Sequence, residues 1–214
     1  MASCKTTTYS PMNLQTISPV NLQKAKGLAR GLPDHGIYIE CLASRNSLEL
    51  HGHWIDLTQC DGPMDICSCI EVILATSPAP GAEEWEITDW TIPSTVAQTQ
   101  SPASIMQWME TRNSFHFWEE QQAYDEWVNA KNWIHTRDAW DQAFQGFYAD
   151  ETDFAISRAE DQGLETGHYS DYLDWERIYD AEYNCNGFTS YSVVLERKDH
   201  QGNPIHQIAV FAPY

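Results

Sequence analysis

Five side chains with metal-ligating chemistry, His51, His53, Cys60, Cys67 and Cys69, fall within nineteen consecutive positions. Thiolate and imidazole donors crowded into such a span are the raw material of a zinc site. The spacing argues against one. Cys67-Ser68-Cys69 lies in a stretch with helical periodicity, where positions two apart do not share a face. The two histidines alternate along a strand-like segment and so do share one. The expectation is no metal and no other cofactor, with Cys67 turned toward a core and both histidines at the surface.

Other chemistry finds less support. The chain has no nucleophile elbow, P-loop or dinucleotide fingerprint, and no calcium loop of the D-x-D-x-D-G kind. A pair of carboxylates could serve as glycosidase acid and nucleophile. With thirty-one acids in 214 residues, however, some pair always suits, so that pattern carries no specificity.

The acids are informative as a population. Against them stand twelve bases, for a formal charge of -19. Residues 1–34 hold four bases (Lys5, Lys24, Lys26, Arg30) and one acid, Asp34. From Asp138 to Glu182 there are thirteen acids and two bases, Arg158 and Arg177. Such a surface repels nucleic acid and anionic membrane and attracts basic protein surfaces. Direct nucleic-acid binding is therefore not expected. Neither a signal-peptide core nor a membrane-length apolar run is visible. The six cysteines then suggest free thiols in a reducing cytoplasm.

These side chains need elements to position them. Residues 1–34 are polar and punctuated by proline, and read as a basic N-terminal extension, expected to be mobile. Residues 35–93 read as an α/β unit: strands "GIYIECLA" and "HGHWIDLT", a helix over about 64–75 entered through Pro63, and a strand "EWEITDW" with Trp85, Ile87 and Asp89 on one face. The helix carries Ile66, Cys67, Ile70, Ile73 and Leu74 at helical spacing. Residues 94–102 resemble a linker within a helical middle region, 94–136. A C-terminal domain, 137–214, has a helix that Gly146 stops, then one capped by Asp150 with Asp153 three residues on. A further helix over about Ser170–Tyr183 is expected to turn Tyr172, Trp175, Ile178 and Tyr179 to one side. Strands "FTSYSVVLER" and "IHQIAVFA" close a hairpin. The fold class is α+β, an elongated chain of small domains: a β-β-α-β unit, a helical middle, then acidic helices with a β-hairpin.

Ordered along the chain, "IYIECLAS", "HGHWIDLT", "SPAPGAEEWEITDW", "AFQGFYADETDFA" and "YLDWERIYDAEY" resemble the ArdA antirestriction family over about 35–197. The basic extension and the C-terminal hairpin depart from the family pattern. The resemblance implies a protein that is not an enzyme. It implies a homodimer that imitates B-form DNA and occupies the DNA-binding groove of type I restriction-modification enzymes, carried by phages or other mobile elements into a bacterial cytoplasm. The phosphate surrogates would be Asp138, Asp141, Asp150, Glu151, Asp153, Glu160, Asp161, Glu165, Asp171, Asp174, Glu176, Asp180 and Glu182, extended by Glu83, Glu84, Glu86, Glu119, Glu120, Asp125 and Glu126. Alternatives are an acidic inhibitor of another nuclease, such as a CRISPR-Cas effector, an acidic module that binds basic proteins without DNA geometry, or an undetected enzyme.

Overall fold

The computed structural model describes residues 25–164, 172–198 and 201–213. The fold is α+β, and the chain divides into two compact units, residues 1–109 and 110–214. The helical stretch 94–136 is shared between them.

The first unit is a three-stranded antiparallel sheet with a helix against one face. It comprises β1 (Gly36–Cys41), the short α1 (Leu42–Asn46), β2 (Gly52–Asp56), α2 (Pro63–Ala75), β3 (Trp85–Trp90), α3 (Ser94–Gln98) and the start of α4 (Pro102–Asn113). Strand order is β2-β1-β3. Ile37, Ile39, Ile55, Leu57, Ile66 and Ile73 are fully buried. Each such side chain contributes about 1.5–3 kcal/mol relative to exposure. Pro63 opens α2, where its missing N–H has no helical partner to lose. Gly52 sits where an added Cβ would lie 2.4 Å from the Ile39 carbonyl oxygen, so the β1–β2 pairing tolerates only glycine there.

The buried stripe of α2 differs from the expected one. Ile66, Cys69, Ile70 and Ile73 form it, joined by Val72. Counted from Ile66, the spacing i, i+3, i+4, i+7 selects Cys69 rather than Cys67; Cys67 and Leu74 are half-buried at its margins. The histidines are not ordinary surface residues either. His53 is buried, and His51 is half-buried with its Nε2 2.7 Å from the Ile73 carbonyl oxygen. On β3 a register shift separates the pairs Tyr38–Asp89 and Ile39–Ile87. The extra residue reverses the alternation. Asp89 therefore faces away from Ile87, and Trp90, paired with Ile37, takes the core side.

Two segments read differently in sequence are structured. Residues 94–98 form α3, with Thr95, Val96 and Ala97 buried. The Gln100 side chain then ties this region to β3: its Oε1 accepts from the Ile87 N–H at 2.8 Å and its Nε2 donates to the Ile87 carbonyl. Residues 25–29 run along β2. Ala29 N–H donates to the Trp54 carbonyl at 3.0 Å and Asp56 N–H to the Gly27 carbonyl at 2.7 Å. Lys26 forms ion pairs with Asp61 and Asp65. An edge-strand acceptor and an edge-strand donor of β2 that would otherwise face water are met in this way.

The second unit contains α5 (Trp118–Lys131), α6 (Arg137–Ala143), β4 (Phe144–Tyr148), α7 (Glu151–Asp161), α8 (Trp175–Glu182), β5 (Thr189–Lys198) and β6 (Pro204–Phe211). Its sheet is antiparallel in the order β4-β6-β5. Aromatic rings dominate the core. Phe211 stacks on Trp127 at 5.0 Å, Trp140 stacks on Phe144 at 4.5 Å, and Trp140 meets Phe115 edge-on at 4.7 Å. Such pairs add about 0.5–1.5 kcal/mol each beyond their area. A second cluster gathers Phe154, Ala155, Ala159, Trp175, Tyr179 and Val210.

Strand β4 corrects the helix expected to run to Gly146. Helix α6 ends at Ala143, and Phe144–Tyr148 pair with Ile208–Phe211 of β6. Three of its five residues are aromatic, a composition that suits a paired strand better than a helix turn. Of the rings around this joint, Phe154 is fully buried, whereas Phe144, Phe147 and Tyr148 are half-buried. Helix α8 starts later than expected. Asp174 caps it, so Tyr172 lies outside the helix and is 84% exposed. Ser170, the expected start, lies outside the described residues.

Candidate functional site

The carboxylates of the second unit occupy helix caps, first turns and outer faces. On α6, Asp138 and Asp141 are exposed three positions apart, and Asp141 pairs with Arg137 at 2.9 Å. Thr136 begins this helix, its Oγ1 accepting from the Ala139 N–H. Asp150 caps α7: its Oδ1 accepts from the Asp153 N–H at 2.8 Å, and Asp153 Oδ2 accepts in return from the Ala149 N–H at 3.0 Å. The capping box thus reaches back one residue before the cap. Further along α7, Glu160 and Asp161 are exposed, Asp161 lying 3.7 Å from Arg158. Positions 150, 153, 157, 160 and 161 follow helical spacing on one face, where neighbours stand about 5–6 Å apart at Cβ.

Asp174 caps α8 by accepting from the Arg177 N–H at 3.1 Å. Glu176, Asp180 and Glu182 are exposed along it. Negative groups at these N-termini also meet the positive end of the helix dipole.

Glu151 is placed differently from its neighbours. It is half-buried, and its Oε1 accepts from the Ser190 hydroxyl at 2.7 Å. With Glu176 and Asp180 it lines a cleft of about 540 Å³ between α7, α8 and β5, whose walls include Tyr179, Phe188 and Tyr191. Burial, reinforced by the Glu151 and Asp180 charges, holds the Tyr179 phenol above its usual pKa, so it stays a neutral donor.

On α5, Glu119 and Glu120 occupy the first turn and are half-buried, and Glu126 is exposed. Glu120 accepts from the Phe117 N–H at 3.5 Å. Asp125 is half-buried and accepts from Arg112 Nε at 2.9 Å; the Arg112 side chain is only 4% exposed.

In the first unit Glu83 and Glu84 are exposed in the turn before β3, and Glu86 is exposed on β3. Arg45 lies 3.0 Å from Glu86 and 3.7 Å from Glu40. Sequence reasoning passed over Glu71, Asp89 and Glu110, all exposed. Glu71 lies off the Ile66–Ile70–Ile73 stripe, which was a readable signal. Asp89 was hidden by the β3 register shift. Glu165 and Asp171 lie outside the described residues. Among the described residues, no group of three or more His, Cys, Asp or Glu side chains is placed to hold a metal ion. None of the described helices is long and apolar enough to cross a membrane.

The arrangement defines an acidic α+β chain that carries many of its carboxylates on the caps, first turns and outer faces of short helices. The model of the antirestriction protein (ArdA) family matches residues 37–194, and the chain belongs to that family. Members are inhibitor proteins directed at restriction enzymes. No curated protein matches the chain.

Proposed function

We propose that this protein inhibits type I restriction-modification enzymes by presenting its carboxylates in place of DNA phosphates and occupying the enzyme's DNA-binding groove, as a homodimer. One observation carries the reading: Asp138, Asp141, Asp150, Asp153, Glu160, Asp161, Asp174, Glu176, Asp180 and Glu182 are exposed within one 45-residue stretch. Duplex DNA carries about one negative charge per 1.7 Å of axis, and a groove built for it is lined with Lys and Arg. Carboxylates at neighbouring helical positions offer that groove a series of negative charges without a nucleic acid backbone. The aromatic core resists the self-repulsion that such density brings.

No single carboxylate is indispensable under this mechanism. Exposed ion pairs contribute about 0–1 kcal/mol each, and salt weakens them further. The test is displacement of labelled duplex DNA from a purified type I enzyme at low salt. The reading predicts stoichiometric displacement that fades as ionic strength rises. Failure to displace DNA at low salt, with the chain shown to be folded, rejects it. Displacement from a Cas nuclease but not from a type I enzyme would redirect the same surface to another target.

A further inference from the structure

Gly27 is packed so tightly that an added Cβ would lie 2.7 Å from Cys60 Sγ and 3.2 Å from Cys69 Sγ. The two sulfurs therefore converge beneath one backbone position. Cys60 follows the 3-10 turn Leu57–Gln59, and Cys69 lies in the second turn of α2. Both are buried, at 8% and 0% exposure, and the Cys60 thiol donates to the Asp56 carbonyl oxygen at 3.6 Å. The remaining described cysteines are placed otherwise: Cys41 is buried against Ser77, Cys67 is half-buried and Cys185 is exposed.

We propose that Cys60 and Cys69 form a reversible oxidation site, a dithiol that a small peroxide converts to a disulfide beneath the 25–29 segment. Their environments divide the labour. The neighbouring Cys60 thiol and the Gly27 N–H favour the Cys69 thiolate, whereas the adjacent Cys69 sulfur and burial keep Cys60 protonated. Cys69 is the attacking sulfur. Its thiolate displaces hydroxide from hydrogen peroxide and becomes a sulfenic acid; that hydroxide takes up a proton as water. The Cys60 sulfur then attacks the sulfenic sulfur, the S–S bond forms, and the sulfenic oxygen leaves as a second water with the Cys60 proton. The chain loses two electrons and two protons, and the peroxide takes them up. Closing the gap requires the 60–62 segment to move toward α2. Gly62 at the helix N-cap carries no side chain to hinder that movement. Access runs through residues 25–29, held to β2 by the two backbone bonds described above and by the exposed ion pairs of Lys26.

The test uses the full chain, treated with hydrogen peroxide, unfolded with an alkylating agent present and mapped by mass spectrometry. The expected result is one linked peptide pair containing Cys60 and Cys69, lighter by about 2 Da than the sum of its reduced halves. Dithiothreitol should restore both thiols. Cys60→Ser should let a dimedone probe trap sulfenic acid at Cys69, and Cys69→Ser should leave Cys60 unmodified. If peroxide oxidises Cys67 or Cys185 while Cys60 and Cys69 remain fully alkylatable, the proposal is wrong. The wild-type map decides this even if a variant fails to fold, and its outcome is independent of restriction inhibition.

Discussion

Neutralising carboxylates that neither cap a helix nor take part in a described ion pair should separate binding charge from fold. Asp138, Glu176 and Glu182 on the second unit and Glu126 on α5 are exposed, and no side-chain hydrogen bond or ion pair described above uses them. A quadruple Asp138→Asn, Glu126→Gln, Glu176→Gln, Glu182→Gln variant removes four charges without deleting an α7 or α8 cap. At about 0.5 kcal/mol for each lost contact with a basic groove, the total is about 2 kcal/mol. That corresponds to roughly a thirtyfold higher inhibitor concentration for half displacement of DNA. The salt dependence should flatten as well, because fewer charges meet the groove. The paired control is Asp150→Ala, which removes an α7 cap and should cost about 1 kcal/mol of stability. Displacement assays at two or more salt concentrations, alongside urea unfolding, read both effects. The reasoning is refuted if the quadruple variant stays folded and inhibits with unchanged potency and salt slope.

Three further outcomes follow from the packing. Phe211→Ala should lose about 3–5 kcal/mol in urea denaturation, because this fully buried ring contacts Trp127, Trp140 and Phe144. Burial lowers the pKa of His53 and His135 below the ordinary histidine value. The unfolded chain then binds more protons, so stability should hold above about pH 6.5 and fall as pH drops through the folded values. Thermal melts between pH 7.5 and 5 check the slope, and a His53→Leu, His135→Leu double variant should flatten it. Arg112→Ala leaves half-buried Asp125 without this cation and should cost about 2–4 kcal/mol, read by the same denaturation assay.

Local chemistry made much of this fold readable from sequence. Pro63 marked the start of α2, Asp150 and Asp153 marked that of α7, and alternation marked β1, β2 and the C-terminal hairpin. Signals that depend on a distant partner were not readable. Phe144–Tyr148 become a strand only because β6, some sixty residues on, supplies the pairing. Residues 94–98 carry weak periodicity and become helical where their small side chains pack, with Gln100 fastened to Ile87. Asp89 was assigned to the wrong face because a bulge is a property of two strands, not one. The acidic candidates were legible as a population. Their individual duties were not: nothing in sequence distinguishes Asp125, held by Arg112, from exposed Glu126 beside it.

The central position of β6 has a consequence for biosynthesis. Among the described residues β4 pairs only with β6, and β5 also pairs there. At about 5–20 residues per second, the roughly 60 residues between the end of β4 and the middle of β6 take about 3–12 s to translate. During that interval Phe144, Phe147 and Tyr148 stand on an unpaired edge while their partner strand does not yet exist. The first unit, whose three strands are all encoded before residue 91, faces no comparable delay. Nascent chains should therefore pass through a stage in which one half is protease-resistant and the other is a client for chaperones, with the dense negative charge of 138–182 opposing aggregation until the last strand arrives.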